Sequence, residues 1–325
     1  MKLKNREYFG IQRKMVSFIT TESWQNVPHV SYLYEPDVTQ FFKEYKRLNR
    51  DRTGDDKITF NTVVLKAICE GLKAAPVMNS HIQFNRRFVT GKIETFDEIN
   101  ISMPTILPNG EMMTLNLRDF GNKNLDEMTE YIKAIRYRAE HSNLTEAMYS
   151  VSLQKTLETL RQGHLIQVAR KVIGANFGRS KVHHLHGKAK RDYEAIPESE
   201  RLTMKDLEQG TVTVSNIGSS YREQRGRFAL LDIVPPQVAA FGVGAVQDTP
   251  MTKKHEDGST EVVIRSVLPI CIAFDHRALD FGETVPFQKR MDEIFNYPEV
   301  IRDWVAPERC ETARAGLHIV GSEEG

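Results

Sequence analysis

Two polar residues stand at the ends of short apolar runs, where their side chains could carry out acid–base chemistry. His276 directly follows one such run and is flanked by Asp275 and Asp280. A histidine held in one tautomer by neighbouring groups can act as a general base toward a thiol or an alcohol. Ser215 ends a second run, and its hydroxyl could donate a hydrogen bond to a developing oxyanion. Taken alone, residues in these positions are more often structural than catalytic.

Alternating helical and strand-like patterns provide the elements that would position these residues. Apolar residues recur at helical spacing in five stretches, with Asn61 expected to cap the second: 38–48, 61–74, 124–140, 145–175 and 283–295. Strand-like runs bounded by turns cover 86–103, 211–215, 238–246 and 267–274. The last three are continuously apolar, as buried strands are. Helices and buried strands mixed along one chain predict an α/β fold.

The overall composition argues against several classes of protein. The chain has 325 residues and a net charge of +1, which suits a globular protein and gives no support for nucleic-acid binding. No run of about 18 apolar residues occurs, and no apolar stretch follows the basic N-terminus, so neither a membrane span nor a secretory signal is predicted. Cys69 and Cys271 lie inside apolar runs and Cys310 stands far from both, which predicts free thiols in a reducing cytoplasm.

Four separated segments resemble, in the same order, the catalytic domain of the dihydrolipoamide acyltransferases, the core component of 2-oxoacid dehydrogenase complexes. The first two contain Arg13-Lys14, then Ser-Trp-Gln-Asn-Val-Pro-His over 23–29, and then 58–79 with its Pro-Val-Met-Asn ending. The other two contain Gly-Thr-Val-Thr-Val-Ser-Asn-Ile-Gly over 210–218 with Pro-Pro-Gln-Val-Ala-Ala-Phe-Gly-Val-Gly over 235–244, and Asp-His-Arg-Ala-Leu-Asp over 275–280. Agreement of four motifs in one order is highly specific.

The resemblance implies a role for each matching residue. His276 is the expected general base, which takes the proton from the acceptor thiol or hydroxyl, and Ser215 is the expected donor to the tetrahedral oxyanion. Asp280 is expected to be structural and to form an ion pair with an arginine, for which Arg13 is the candidate. Two neighbours of the catalytic pair are expected to support it structurally: Arg277 and Asn216.

The resemblance also implies a chloramphenicol acetyltransferase-like fold, with a mixed sheet packed with helices, and a homotrimer with active sites between subunits. Residues 1–304 would form the acyltransferase catalytic domain, with an enlarged insertion over 145–207, followed by a polar tail over 305–325. The family's large cages are joined by a short apolar C-terminal anchor. Because only 317–320 in this tail could serve as one, a trimer is expected rather than a cage.

Two departures from the family pattern concern the acyl acceptor. Phe281 stands where the family signature has glycine, which predicts either local repacking or a reshaped acceptor site. The match begins within the first fifteen residues and no Asp-Lys-Ala lipoylation hairpin occurs, so no lipoyl attachment is expected in this chain. The acceptor is therefore expected to be a separate lipoyl-bearing protein, free coenzyme A or another small molecule.

The insertion over 145–207 carries charged residues whose role the sequence leaves open. It contains three histidines (His183, His184 and His186), which suit a solvated loop better than a metal site because no cysteine or acidic partner is near. Its basic residues either form a solvated surface or contact a coenzyme A phosphate: Lys181, Lys188, Lys190 and Arg191. No metal is expected.

The function predicted from these observations is coenzyme A-dependent acyl transfer to a thiol of the dihydrolipoyl type. Two alternatives remain open at this point. One is a stand-alone acetyltransferase that acts on a small alcohol, amine or thiol, and the other is a non-catalytic scaffold with the same fold. The sequence does not identify the acyl group.

Overall fold

A computed structural model describes residues 2–306, apart from 107–109, 111, 162–184 and 220. It contains ten strands: β1 (His29–Tyr34), β2 (Ser80–Asn85), β3 (Thr90–Thr95), β4 (Ile101–Ile106), β5 (Met112–Leu117), β6 (Val212–Asn216), β7 (Ala239–Val243), β8 (Gln247–Lys254), β9 (Thr260–Val267) and β10 (Ile270–Asp275). Six strands form one sheet in the order β1-β10-β7-β6-β4-β5. β6 runs parallel to both of its neighbours, whereas the other pairs are antiparallel. The predicted mixed α/β fold is thereby confirmed.

The helices of the described residues pack around this sheet: α1 (Ile11–Asn26), α2 (Thr39–Leu48), α3 (Phe60–Ala74), α4 (Leu125–Glu140), α5 (Leu144–Arg161), α6 (Gly187–Glu194), α7 (Met204–Leu207) and α8 (Phe281–Asn296). α3 and α8 contact each other closely, because Gly71 leaves room for Phe287: an added Cβ would lie 2.6 Å from that ring. Phe287 in turn stacks on Phe241 of β7, with the ring centroids 5.1 Å apart. This layer fixes α8, and with it the loop that carries His276.

The cap of α3 differs from the prediction. Thr59 caps the helix, since its hydroxyl accepts a hydrogen bond from the Thr62 backbone N–H at 3.1 Å. Asn61 lies inside the first turn, where its side-chain oxygen accepts a hydrogen bond from Asn216. Both Thr59 and Asn61 are residues that cap helices, so sequence alone could not decide between them. The consequence is that Asn61 is available to hold the turn after β6.

β10, which leads to His276, and its neighbour β7 are buried, as their apolar sequences predicted, whereas β6, which carries Ser215, is only partly buried. Every residue of β7 and β10 is buried. α8 is joined to the sheet by a hydrogen bond that the Tyr34 hydroxyl of β1 donates to Asp292 at 2.6 Å. The β2–β3 and β8–β9 hairpins lie outside the main sheet and are largely exposed. No helix in the described part of the chain is long and apolar enough to cross a membrane.

Candidate active site

His276 is the first residue after β10, at the point where the buried strand reaches the surface. Its side chain is 53% exposed. The backbone N–H of His276 donates to the Pro28 carbonyl at 3.0 Å, which ties this position to the chain just before β1. The imidazole also makes an edge contact with Phe274, at a centroid distance of 6.3 Å. The backbone of His276 is therefore fixed while its ring remains open to a substrate.

One nitrogen of the His276 ring is held by the protein. Nδ1 lies 3.1 Å from the Leu279 carbonyl oxygen and 3.5 Å from a carboxylate oxygen of Asp280. Because both oxygens are acceptors in this arrangement, Nδ1 must carry the hydrogen, and the lone pair is then on Nε2. Nε2 makes no hydrogen bond within the part of the chain that the structure describes. This is the tautomer that a general base needs.

Asp275 and Arg277 form a clamp on either side of His276. The Asp275 side chain is fully buried, and it accepts hydrogen bonds from Arg277 Nε at 3.0 Å and from a terminal guanidinium nitrogen at 2.6 Å. It also accepts one from the Arg277 backbone N–H at 2.9 Å. The guanidinium lies 5.8 Å from the ring centroid of Phe84 on β2. Arg277, which was expected to support the site, is thus held in place by buried Asp275.

Asp280 is placed differently from the prediction. It forms no ion pair with Arg13, which lies exposed on α1. Its side chain is instead 83% exposed beside His276, and its backbone N–H donates to Glu283 at 2.8 Å at the start of α8. Within one chain, the expected pair between Asp280 and Arg13 therefore does not form. The partner of a charged residue depends on how distant elements approach each other, which the sequence does not give.

Ser215 lies at the other candidate position, next to the last residue of β6. Its side chain is part-exposed, and the hydroxyl makes no hydrogen bond to the residues that the structure describes. The turn behind it is well held: Asn216 donates to Asn61, accepts from the Ser219 backbone N–H at 2.9 Å, and its carbonyl accepts from the Ser219 hydroxyl at 2.8 Å. Asn216 thus supports the turn, and Ser215 retains an unused donor.

Ser215 and His276 do not meet within one chain. Ser215 is level with Gly242 of β7, and Gly242 is level with Cys271 of β10, whereas His276 lies five residues beyond Cys271. At a rise of about 3.3 Å per residue this places the two positions roughly 16 Å apart along the strand direction, and two strands apart across the sheet. A single subunit therefore presents a base at one end of the sheet and a hydrogen-bond donor at the other.

Comparison with known proteins identifies the family to which this chain belongs. The family model of the 2-oxoacid dehydrogenases acyltransferase (catalytic domain) matches residues 3–151 and 180–302. The chain belongs to this family. Between the two matched segments, residues 152–179 are unmatched, and they lie within the stretch 145–207 that the sequence marks as an insertion.

Relatives of known sequence and structure agree with this placement. The chain is 22% identical over 298 residues to the dihydrolipoyllysine-residue acetyltransferase component of the pyruvate dehydrogenase complex of Staphylococcus epidermidis, covering 91% of this chain and 52% of that protein. It therefore spans about half the length of the curated relatives that it matches.

Two solved structures show the same fold. A probable dihydrolipoamide acetyltransferase from Listeria monocytogenes superposes with a TM-score of 0.60 at 17% identity, covering 90% of this chain and 95% of that one. Dihydrolipoamide acetyltransferase from Azotobacter vinelandii superposes with a TM-score of 0.59 at 18% identity, covering 92% and 94%. That structure was studied for the roles of a serine, a histidine and an asparagine in its catalytic mechanism.

His29, in the segment that resembles the opening of the acyltransferase domain, was given no role from sequence. It lies opposite Asp275 in the pairing of β1 with β10, close to the His276 backbone. Its Nε2 accepts a hydrogen bond from the Ile233 backbone N–H at 3.2 Å, and its ring stacks on Trp24 at a centroid distance of 5.4 Å. Because this nitrogen is occupied by the backbone, we assign His29 to the packing around the site.

Phe281, which replaces the glycine of the acyltransferase signature, lies beside the site. Its ring packs edge-on against Tyr32 of β1 at a centroid distance of 5.4 Å, and the residue remains 47% exposed. Phe281 follows Asp280 directly and begins α8. The ring therefore adds an apolar surface next to the His276 loop, where glycine would leave none.

The two cysteines that the structure describes are buried free thiols, as predicted. Burial raises the pKa of the Cys69 thiol to about 12, and burial likewise raises the pKa of Cys271, whose sulfur lies 3.4 Å from the Ser31 hydroxyl. Both thiols therefore stay protonated near neutral pH, and neither is a candidate nucleophile.

The charged residues of the insertion are only partly described. His183, His184 and Lys181 lie outside the described residues, as does the candidate anchor 317–320. Lys190 of α6 lies 3.8 Å from both Glu146 and Glu194. Within the described ranges, no group of three histidine, cysteine or acidic residues is arranged to hold a metal ion. The absence of a metal from the protein remains a prediction.

Proposed function

We propose that this chain is the catalytic domain of a dihydrolipoamide acyltransferase that moves an acyl group between coenzyme A and a dihydrolipoyl thiol. One observation carries the proposal: the sheet presents a histidine with its Nε2 lone pair free at one end and an unused serine hydroxyl at the other. These are the two groups that thioester exchange requires. Membership of the acyltransferase family supports the choice of reaction.

The reaction follows from these two groups. Nε2 of His276 removes the proton from the acceptor thiol, and the sulfur attacks the thioester carbonyl carbon. The Ser215 hydroxyl donates a hydrogen bond to the oxyanion that forms. The tetrahedral intermediate then collapses, the bond to the donor sulfur breaks, and the leaving thiolate takes the proton from the imidazolium. The Leu279 carbonyl and Asp280 hold Nδ1–H throughout. Because the acceptor sulfur attacks the donor thioester directly, no acyl group is bound covalently to the protein.

We propose that the site is assembled from two copies of the chain. We propose a homotrimer in which His276 of one subunit faces Ser215 of the next, because the two groups lie roughly 16 Å apart along the sheet of one subunit. The acceptor is proposed to be a lipoyl group supplied by another protein or by a lipoyl domain elsewhere. The side chains of Arg277 and Asn216 are proposed to support His276 and Ser215 respectively.

The test is a transfer assay with defined donors and acceptors. The protein is incubated with acetyl-, propionyl- and isobutyryl-coenzyme A and with dihydrolipoamide, and S-acyl-dihydrolipoamide is separated by chromatography. Parallel reactions contain a small alcohol or amine in place of the dithiol. We expect acyl transfer to dihydrolipoamide with at least one donor. Turnover with alcohols or amines alone would show that the protein is a different acetyltransferase, and no turnover with any acceptor would favour a scaffold.

A further inference from the structure

The segment that follows the Ser215 turn is rich in arginine. Residues 221–227 contain Arg222, Arg225 and Arg227 but a single acidic residue, Glu223, and all four are exposed. Arg227 forms an ion pair with Glu35 just after β1. Arg222 and Arg225 form no ion pair with any acidic side chain in the ranges described by the structure. Two guanidinium groups without an ion pair in the described residues therefore lie on the segment that follows the Ser215 turn.

Backbone contacts hold this segment at the Ser215 end of the sheet. The Tyr221 backbone N–H donates to the Ile217 carbonyl at 3.3 Å, two residues beyond Ser215. The Gly226 carbonyl accepts from the Gln247 side chain at 3.0 Å, at the start of β8. Both arginines lie between these two anchors, so their distance from Ser215 is limited by the fold.

The positive charge of Arg222 acts on Tyr45, a residue of α2 near the Ser215 turn. Burial raises the pKa of the Tyr45 phenol, and the positive charge of Arg222 acts in the opposite direction on that pKa. Tyr45 belongs to α2 and packs on Phe60, which begins α3 beside the Asn61 side chain that holds the Ser215 turn. The positive charge of Arg222 therefore acts on the contact between α2 and α3, which adjoins the Ser215 turn.

The other basic segment is a weaker candidate for binding an anion. On α6, Lys190 lies within 3.8 Å of Glu146 and of Glu194, so its charge is partly compensated. α6 also begins after His186, and Leu185 is bonded to Glu146 of α5 rather than to the sheet. Nothing in the described residues connects α6 with Ser215.

We propose that Arg222 and Arg225 bind the phosphate groups of the acyl donor, a phosphate-bearing thioester of the coenzyme A type, and so direct its carbonyl toward Ser215. The inference rests on the proposed function, because it specifies where the donor of that reaction is recognised. The planar guanidinium matches phosphate oxygens with two parallel hydrogen bonds, and its charge is retained at every physiological pH. Arg227, already paired with Glu35, anchors the segment.

The test compares two donors that share the acetylpantetheine thioester arm and differ in the phosphate-bearing nucleotide part. Acetyl-coenzyme A carries this part, whereas acetylpantetheine has the same thioester and lacks it. In the double variant Arg222→Ala/Arg225→Ala, we expect KM for acetyl-coenzyme A to rise roughly ten- to hundredfold, with kcat changed by less than about threefold. We expect KM for acetylpantetheine to be unchanged. Raising the ionic strength should weaken wild-type use of acetyl-coenzyme A and narrow the difference from the variant.

Arg136→Ala provides the matched control, because Arg136 lies exposed on α4 without an ion pair in the described residues, near the opposite edge of the sheet. It should leave both KM values unchanged. An equal rise in KM for both donors, no rise with acetyl-coenzyme A, or a rise confined to KM for dihydrolipoamide would each overturn the proposal.

Direct titration of coenzyme A and of pantetheine into wild-type and variant protein makes the same comparison without turnover. Inactivity of the wild-type protein with every donor would contradict the proposed function. Loss of phosphate-dependent binding in the double variant would still support the arginine site in that case, and equal binding by variant and wild type would refute it.

Discussion

At the scale of single residues, the feature that matters most is the difference between the two nitrogens of His276. Nδ1 donates to the Leu279 carbonyl and faces Asp280, while Nε2 has no partner in the described chain. A histidine that was only structural would be expected to use both nitrogens or to be buried. The apolar run before His276 predicted its exposure at a strand end, but the backbone carbonyl that selects the tautomer could not be predicted, because it depends on the turn from 276 to 280.

Replacing His276 tests directly whether it acts as the general base. We expect His276→Ala to lower kcat for acyl transfer by about 10²–10⁴, since general-base catalysis contributes on that order. KM for the acyl donor should change little, because the imidazole acts on the acceptor proton. The measurement is steady-state transfer to dihydrolipoamide. His255→Ala is the control, as His255 is exposed at the turn of the β8–β9 hairpin and pairs only with Glu261. Full activity of His276→Ala would remove this residue from the mechanism.

At the scale of elements, the clamp between Asp275 and Arg277 joins the end of β10 to the loop that leads into α8. Asp275 is completely buried, and it accepts from both the backbone and the guanidinium of Arg277. The Ala278 and Leu279 backbone N–H groups also donate to the Asp275 carbonyl, at 2.9 and 3.0 Å. One aspartate therefore closes the turn that presents His276, and its charge is compensated by the neighbouring arginine.

Removing that charge should destabilise the protein. In Asp275→Asn the guanidinium of Arg277 loses its counter-ion while remaining largely buried, and the lost interaction should cost about 2 kcal/mol of unfolding free energy, less than for a fully buried pair because Arg277 is partly exposed. Urea denaturation provides the measurement. Glu293→Gln, which breaks the exposed pair with Arg290, should change stability by less than about 0.5 kcal/mol. Equal effects of the two variants would show that the clamp contributes no special stability.

Particular elements show how far sequence could predict the fold. The strands β6, β7 and β10 and the helices α2, α3, α4 and α8 were predicted because their apolar periodicity is strong. β1 was missed, since its polar and apolar residues do not alternate cleanly: its middle residue Ser31 is exposed while Tyr34 is buried. The order of strands in the sheet has no local signal at all. Sequence motifs could name candidate residues for the site, but the distance between Ser215 and His276 within one chain could not be predicted because it depends on the order of the strands.

At the scale of the whole molecule, the two candidate catalytic groups lie at opposite ends of one sheet. A second subunit must supply the missing half of each site if the proposed reaction takes place. The two halves differ in chemistry: Phe281 adds an aromatic surface next to the His276 loop, and the segment that follows the Ser215 turn carries the positive charges of Arg222 and Arg225.

Mixing two inactive variants tests the shared site. The variants His276→Ala and Ser215→Ala should each be nearly inactive alone. For Ser215→Ala we expect kcat to fall by about 10²–10³, because one oxyanion donor is lost. If subunits exchange after mild dissociation and reassembly, mixed trimers contain some sites with both residues intact, and we expect activity to return to a fraction of the wild-type value. Sedimentation checks that the mixture is trimeric, and a trimer that gains no activity on mixing would show that the site is not shared between subunits.

The placement of Ser215 and His276 at opposite ends of the sheet affects what a newly synthesised subunit can do before it assembles. A lone folded subunit would hold an exposed base without the oxyanion donor opposite it, so it would be unable to cleave thioesters by this route. Loss of acyl groups to water would then be prevented until assembly is complete. If the proposed trimer forms the site, specific activity should fall on dilution below the dissociation constant of that trimer, and the rate of acyl transfer would report how much of the protein is assembled.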